Sequence, residues 1–476
     1  MSQTGSGMSE EALRLIFALQ HAASRSTLAP AFEQRRATLE KLFDLVRANA
    51  TAIASAISAD FGQRSHNETE LLEIVPTLSA IRHTRHHLRS WMRPERRPVG
   101  FAFQPARAWV RYEPLGVVGI VAPWNYPLLL TISPLLDAIA GGNRAMLKPS
   151  ELTPRFSELL RVMIAERYDP SEIAVVTGGV ETARSFASLP FDHLLFTGST
   201  AVGRQVMRAA AENLTPVTLE LGGKSPAIVC PDYPVEKAAR SIAFGKFLNA
   251  GQTCIAPDYV LVPAENCDAF AQRVLAEVTR AYPAIARNRD YTSIITEQHC
   301  TRLKAALEEA RAAGATVLSH TDTNAVVEGK LVPTIVLNAP VDGLLLREEI
   351  FGPILPIVPY RSLDDALAFI NARPRPLALY CFTHDRQLRE LVLARTTSGG
   401  VTLNGTLLHI AQDALPFGGV GASGMGAYHG RDGFRRMSHA RAVHQIGFIN
   451  VFEHLGPPWG KLASTVARLL NRRSLR

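Results

Sequence analysis

The chain has 476 residues, is 47% hydrophobic and 20% charged, and carries a formal net charge of +8. At roughly 150 residues per domain this length implies two or three domains, and a chain of this size folds without a disulfide or metal staple. Its cysteines, Cys230, Cys254, Cys267, Cys300 and Cys381, are scattered and form no C-x-x-C pair, which argues against a disulfide framework or zinc knuckle and favours a reducing, cytoplasmic setting.

The start, MSQTGSGMSEEALRLIFALQ, puts Glu10 and Glu11 where a secretory signal needs basic residues. It reads as a disordered leader followed by an amphipathic helix that Ser9 caps, with the two acids at its positive end. No uncharged run approaches the ~20 residues a bilayer span requires. Apolar spacing of three and four through EQRRATLEKLFDLVRANATAIASAI continues the helical pattern. The basic run from Arg82 to Pro98 lacks any zinc-finger or aromatic-interleaved pattern, so it reads as a solvated face and not as a nucleic-acid site. Within it His83, His86 and His87 have the helical spacing of metal ligands, but Arg82, Arg85 and Arg89 flank them and would repel a cation, so no metal is expected.

From Trp109 the pattern changes. WVRYEPLGVVGIVAP is β-branched and aromatic, and Pro114 and Gly116 divide it into two strands. Asn125 follows in a turn framed by Pro123, Trp124, Tyr126 and Pro127, a rigid setting for an amide donor. Strand-like AMLK ends at Lys148, with Glu151 just beyond, where ribose hydroxyls are often held. A helix near SELLRVMIAERY, the strands IAVVTG and HLLFTG, and the helix STAVGRQVMRAAAEN come next. The backbone amides after Gly198 and the start of the following helix form an anion site suited to a pyrophosphate, although Gly198 and Gly203 do not spell G-x-G-x-x-G.

Glu220 ends the β-branched strand of VTLELGGKSP, before Gly222 and Gly223. GGKS is not a phosphate loop, since Thr218 stands where that motif needs glycine. A second alternating series follows: PAIVC, AARSIAFGKFLN, YVLVP and AFAQRVLAEVTRAY. Such alternation indicates an α/β protein with parallel sheets covered on both faces. Between helix and strand lies LNAGQTCIAPDYVLV, where Gly251 and Pro257 bracket Cys254 in a tight loop. A thiol of ordinary pKa ~8.5 is mostly protonated at neutral pH, so a nucleophilic Cys254 needs assistance, and Glu220 is the candidate.

Taken in order, PWN, KPSE, FTGSTAVG, LELGGKSP, GQTC, EEIFGP and PFGGVGASGMG resemble the aldehyde dehydrogenase superfamily from about residue 10 to about residue 445. PWNYP, CIAPDYVL and LPFGGVGASGMGAYHG are most similar to its class 3 branch, and KPSELTP and LTPVTLELGGKSPAIV resemble bacterial coniferyl aldehyde dehydrogenases. The resemblance implies a Rossmann-like NAD-binding domain over residues 1–222, interrupted by an antiparallel oligomerisation hairpin near 101–115. It further implies a catalytic α/β domain over 223–435 and a C-terminal strand over 436–450 that extends a sheet between the subunits of a homodimer. It makes Cys254 the nucleophile, Asn125 the oxyanion donor and Glu220 the base for thioester hydrolysis. Lys148 and Glu151 would hold the adenosine ribose, Gly198, Ser199 and Gly203 the pyrophosphate, and Glu349 and Phe351 the nicotinamide ribose and ring. Tyr126 and Phe417, beside motif residues, are candidates for the aldehyde channel, with core packing the alternative for each.

The expected reaction is oxidation of an aldehyde to a carboxylic acid with NAD, NADP being the alternative that Glu151 opposes. The expected substrate is coniferyl or a related aromatic aldehyde, and the alternative a medium- or long-chain fatty aldehyde. A coenzyme A-acylating enzyme would not keep a base at Glu220, and a non-catalytic relative would not keep Cys254, Glu220 and Asn125. Basic character after Gly433, in FRRMSHARAV, departs from the family. The tail at 451–476 places Leu462, Val466, Leu469 and Leu470 on one helical face and Lys461, Arg468, Arg472 and Arg473 elsewhere. Packing against its own subunit is expected, in preference to an anionic membrane surface.

Overall fold

The computed structural model describes residues 7–26, 29–320 and 329–473; the leader at residues 1–6 lies outside them. Helix Glu10–Ser26 begins as its sequence dictates, with the Ser9 hydroxyl accepting the Ala12 amide at 3.2 Å, and it lays Leu13 and Phe17 against the first sheet.

That sheet has six strands in the order Gly424–Met425, Val217–Leu221, His193–Gly198, Val117–Val121, Arg144–Lys148, Ile173–Val175. All but the first pairing are parallel. Val117–Val121 is laid down first; two strands are then added on one side before the chain crosses back and adds two on the other. The order therefore reverses between Val117–Val121 and His193–Gly198, and the carboxyl ends of these strands diverge into a crevice suited to a ligand.

A second sheet has seven strands in the order Thr316–Ser319, Thr334–Leu337, Ile354–Tyr360, Tyr259–Pro263, Pro226–Val229, Ala378–Phe382, Gly400–Leu403. The central strands of both sheets are near-continuous apolar runs because helices cover both faces. Only Gly222–Ser225 separates the last long strand of the first sheet from a central strand of the second. Gly424–Met425 then returns to pair antiparallel with Val217–Leu221, bringing Gly424 opposite Glu220.

A third, antiparallel sheet contains Glu95–Arg97, Arg107–Pro114 and Ser438–Gln445. The expected hairpin near 101–115 is shifted: its first strand is Glu95–Arg97, and Phe101–Phe103 forms a single 3-10 turn in the connection. Pro98 and Gly100 end the short strand early, since proline offers no amide to the ladder. The C-terminal strand expected over 436–450 spans Ser438–Gln445 and pairs along its whole length with Arg107–Pro114 of its own chain.

The tail also differs from expectation. Helix Lys461–Arg473 leaves Leu462 66% and Leu469 56% exposed, so its apolar stripe is not packed on its own subunit. Pro457 and Pro458 follow the helix Val451–Leu455 and separate the tail from a core that is closed without it. The histidine-rich helix behaves as a packed face: the His83 and His87 rings lie 4.3 Å apart, and His87 stacks on Trp91 at 5.9 Å. Among the described residues no cluster of three or more His, Cys, Asp or Glu could hold a metal, and no helix is long and apolar enough to cross a membrane.

Candidate active site

Cys254 sits at the end of an unusual turn. Helix Val235–Phe247 stops at Leu248, and Asn249, Ala250 and Gly251 then all take left-handed backbone angles, with φ of +51°, +51° and +76°. Left-handed geometry costs a non-glycine L-residue about 1–2 kcal/mol, and such strain concentrates at functional sites. Gly251 has no alternative, because a Cβ there would lie 2.2 Å from the Gly352 carbonyl oxygen. The turn is held from inside: the Gln252 side-chain amide donates to the carbonyls of Asn249 and Ser293, both at 3.0 Å, and its oxygen accepts the Ile295 amide at 3.0 Å. The result presents Cys254 as a partly accessible thiol among buried neighbours.

Asn125 comes from the other sheet. It follows strand Val117–Val121 and precedes helix Leu129–Gly141, and it is 3% exposed. Its Nδ2 donates to the Gln252 carbonyl at 3.2 Å, and Asn249 Nδ2 donates to the Asn125 carbonyl at 3.1 Å. These bonds bring the Asn125 amide up to the loop two residues before Cys254. The neighbouring Tyr126 hydroxyl shares a 2.8 Å hydrogen bond with Thr253 Oγ1.

Glu220 is 2% exposed, and neither carboxylate oxygen has a hydrogen-bond partner among the described residues. Burial pushes its pKa well above the usual carboxylate range. The Cys254 thiol is likewise pushed well up, first by burial and then by Glu220 and Glu349, against the pull of the amides of Cys254 and Ile255. Glu349 packs directly on the turn after Glu220, since a Cβ on Gly222 would lie 2.0 Å from its carboxylate. Burial and then Asp258 raise Glu349 to about 8, while burial lowers Lys246, whose Nζ lies 3.8 Å from Asp258 Oδ1, to about 8. Phe351, with φ of +53°, sets its ring 5.3 Å from Trp124 and nearly perpendicular to it, and its carbonyl lies 2.8 Å from His299 Nε2.

The crevice at the strand reversal is a cavity of about 410 Å³ that contains Lys148, Glu151, Gly198 and Ser199. Lys148 is 1% exposed, donates to the Pro149 carbonyl at 2.9 Å and lies 3.6 Å from Glu151. Ser199 caps helix Thr200–Ala211 by accepting the Val202 amide at 3.3 Å, which leaves the helix's positive end open to the crevice. Val180 and Ala183 on one helix face Val202 and Val206 on the next. A Cβ on Gly198 would meet the Phe196 ring at 2.5 Å, so a larger residue there requires the ring to move. Gly203 lies inside the helix, where it allows close approach of Leu221. An apolar slot, a helix amino end and a buried cation beside a carboxylate together fit a dinucleotide.

Tyr126 and Phe417 are both buried. The Arg64 guanidinium covers one face of Tyr126 at 4.9 Å, and His429 stacks on Phe417 at 5.4 Å. His429 also lines a separate apolar cavity of about 200 Å³ walled by Leu71, Leu72, Leu129, Leu136, Leu407 and Ile410. Tyr428 connects the two regions: its ring meets His429 edge-on at 4.5 Å, and its hydroxyl feels the charges of Glu220 and Cys254.

Cys254, Glu220 and Asn125 thus converge with Glu349, and Lys148, Glu151, Gly198 and Ser199 line the adjoining crevice. Sequence reasoning passes over Arg64, Asn249, Gln252, Lys246 and His429. Gln252 stands inside GQTC, Asn249 just before it and His429 inside LPFGGVGASGMGAYHG, which are signals; nothing in the local sequence of Arg64 marks it.

The sequence profile of the Aldehyde dehydrogenase family matches residues 5–443. A probable coniferyl aldehyde dehydrogenase of Pseudomonas aeruginosa is 50% identical over 452 residues, 94% of each chain. Staphylococcus aureus AldH in its substrate-bound state has a TM-score of 0.90 at 38% identity, covering 96% of this chain and 99% of that one. A Mycobacterium tuberculosis aldehyde dehydrogenase complexed with NAD+ has a TM-score of 0.85 at 27% identity, covering 93% of this chain and 92% of its own.

Proposed function

The chain belongs to the aldehyde dehydrogenase family, and from that premise we propose which residues carry its reaction and which aldehyde it prefers. The enzyme oxidises an aldehyde to a carboxylic acid with NAD. The observation that carries the assignment is the convergence of a partly accessible Cys254, a buried Glu220 without a hydrogen-bond partner among the described residues, and the Asn125 amide where the two sheets meet.

Cys254 gives up its thiol proton to solvent water, and its Sγ attacks the aldehyde carbon to form a thiohemiacetal whose oxyanion accepts from Asn125 Nδ2 and the Cys254 amide. Losing one such donor typically costs ~3–4 kcal/mol of transition-state stabilisation. When bound, NAD would supply the hydride acceptor that oxidation of the aldehyde to the acid level requires. Glu220 then takes a proton from water as the water attacks the thioester carbon, and the acid leaves as Cys254 Sγ is released. Burial raises the Glu220 pKa above the usual carboxylate range, which makes its carboxylate a stronger base towards water. Lys148 and Glu151 would bind the adenosine ribose, the amides near Gly198, Ser199 and Gly203 the pyrophosphate, and Glu349 and Phe351 the nicotinamide end. A carboxylate at Glu151 accepts bonds from a ribose 2′-hydroxyl and repels a 2′-phosphate, which supports NAD over NADP.

The preferred substrate is coniferyl or a similar aromatic aldehyde. Half of the aligned residues are shared with the Pseudomonas aeruginosa relative, and Tyr126 beside Thr253 and the Phe417–His429–Tyr428 group put aromatic rings near the Cys254 centre. The leucine-rich cavity beyond His429 supports a second reading, a medium- or long-chain aliphatic aldehyde. Steady-state kinetics with coniferyl aldehyde, cinnamyl aldehyde, octanal and acetaldehyde, each with NAD and NADP, separates the two. The aromatic reading expects coniferyl or cinnamyl aldehyde to give the highest kcat/KM, by about tenfold, the scale of ring-on-ring contacts. A tenfold advantage for octanal would replace it by the aliphatic one. The subunit is further read as one half of a cytoplasmic homodimer, which sedimentation of the purified protein tests.

A further inference from the structure

We propose that Arg64, through its ion pair with Glu73, is the positioning residue that fixes the Asn125 turn in register with the Cys254 loop. The inference rests on the reading of Asn125 as oxyanion donor.

Arg64 and Glu73 lie more than fifty residues before Asn125 in the chain, and neither reaches the reacting atoms. Both side chains are 0% exposed, and Arg64 Nη1 meets Glu73 Oε1 at 2.7 Å. The same Nη1 donates to the Asn125 carbonyl at 3.2 Å. The second Glu73 oxygen accepts the amides of Leu128 and Leu129 at 2.8 and 3.2 Å, at the start of helix Leu129–Gly141. One ion pair therefore grips both ends of the turn that carries Asn125, Tyr126 and Pro127. From the opposite side Asn249 Nδ2 donates to that same carbonyl and to the Gln252 carbonyl, both at 3.1 Å, and Asn125 Nδ2 also donates to the Gln252 carbonyl. The Asn125 carbonyl thus accepts one bond from each half of the site, and its side chain completes the bridge.

Packing alone does not explain an arginine here. Its Nε and Nη2 find no acceptor among the described residues, and the guanidinium lies against the rings of Phe61 and Tyr126 at 5.2 and 4.9 Å. A buried ion pair with spare donors is poor economy for stability, since apolar replacements of similar volume are often neutral or better. What an apolar side chain cannot supply is a directed bond to the Asn125 carbonyl and a partner that holds Glu73 on the helix amides. The Tyr126 ring beneath Arg64 carries the hydroxyl that bonds Thr253, so the same guanidinium also steadies the contact beside the nucleophile.

The test is a double-mutant cycle on the full-length enzyme with NAD and coniferyl aldehyde. Alone, Arg64→Met should lower kcat by ~30–100-fold, the scale of losses from ångström misplacement, with the KM for NAD within about threefold of wild type. Added to Asn125→Ala, it should cost less than about threefold more, because residues acting through one group are not additive. Arg64→Lys, which can still bridge Glu73 and the carbonyl, should recover at least about tenfold over Arg64→Met. If Arg64→Met does not fold, Glu73→Gln takes its place in the same cycle, since it keeps an acceptor for the helix amides but loses the charge that holds Arg64. Losses that multiply in full, or a lysine variant no better than methionine, would overturn the positioning role while leaving the oxyanion assignment intact. An Asn125→Ala enzyme with wild-type kcat would overturn the oxyanion assignment first, and this inference with it.

Discussion

The dinucleotide crevice and the Cys254 centre lie side by side, yet they are built in opposite ways. In the crevice the groups are satisfied before any ligand arrives: Lys148 bonds the Pro149 carbonyl, Ser199 caps its helix, and Glu151 is open to solvent. At the centre the groups are held uncomfortably: Glu220 is buried without a partner among the described residues, Asn249 and Ala250 are left-handed, and Glu349 and Lys246 are both shifted to about 8. Binding exploits what the fold provides at a strand reversal, whereas chemistry requires states the fold must be forced to hold. Variants of the buried ionisable groups at the centre should therefore change rates strongly and leave stability unchanged or improved, and variants in the crevice should shift affinity modestly.

The largest expected effect separates the two chemical steps. Cys254→Ala should abolish NADH formation, whereas Glu220→Gln should slow steady-state turnover by ~10²–10³-fold, within the range general-base catalysis contributes. A stoichiometric burst of NADH should remain in Glu220→Gln, because acylation precedes the step that needs the base. Wild-type kcat should climb as pH rises through the elevated Glu220 pKa, and Glu220→Gln should lose that limb. Stopped-flow absorbance at the NADH band checks both; wild-type turnover by Glu220→Gln at neutral pH would sink the base assignment.

The second effect is on stability, and its sign follows from linkage. Glu349 has a folded pKa of about 8 against an ordinary 4.5, so the folded state binds the extra proton and stability falls as pH rises between those values. Lys246, lowered to about 8 from 10.5, acts oppositely and loses stability as pH falls through that upper window. Glu349→Gln removes the first slope, so its melting temperature should gain on wild type from about pH 5 to about pH 9. Parallel melting curves across that range would show that Glu349 is not buried as a carboxylate.

Most of this architecture was legible in the sequence, for physical reasons. Fully buried parallel strands must be continuous apolar runs, so VVGIV, RAMLK, HLLFTG and YVLVP announce themselves, and glycine and proline punctuation bounds them. The Cys254 loop was legible because GQTC couples an obligate glycine to the nucleophile. What stayed hidden depends on contacts distant in the chain. Nothing near Arg64 says that its partner is Glu73 or that both serve Asn125, and the motif LPFGGVGASGMGAYHG that holds His429 does not say that its ring stacks on Phe417. The hairpin was displaced because Glu95–Arg97 is too short and too charged to read as a strand. The tail misled because amphipathic spacing states which face is apolar but not whether anything lies opposite.

A smaller effect probes the crevice. Glu151 is 3.6 Å from Lys148 and largely solvated, so its charge is screened. Glu151→Gln should narrow the preference for NAD over NADP by about three- to tenfold, ~1 kcal/mol, through less repulsion of a 2′-phosphate. Steady-state kcat/KM with both dinucleotides measures it. Equal efficiency with NAD and NADP in the wild type would remove Glu151 from the ribose site.

The smallest expected effect tests whether the Cys254 turn is strained by its own residues or by what surrounds it. Ala250→Gly relieves a left-handed alanine, a gain of ~1–2 kcal/mol. It also gives up a methyl that is 99% buried, since Ala250 is 1% exposed beside Ile285 and Tyr291, at a cost of ~0.8 kcal/mol, and it loosens the unfolded chain by ~0.5–1 kcal/mol. These terms nearly cancel, so the midpoint of chemical unfolding should move by less than ~1 kcal/mol, with kcat close to wild type. Gly251→Ala is the opposite case: φ is +76° and the new Cβ would sit 2.2 Å from the Gly352 carbonyl, so the backbone itself must move. A loss of ~3 kcal/mol or more is expected, together with most of the activity. That pairing would place the constraint in the Gly352 segment and the Gln252 hydrogen bonds. A large gain from Ala250→Gly would instead mean that the turn stores strain in its own alanine.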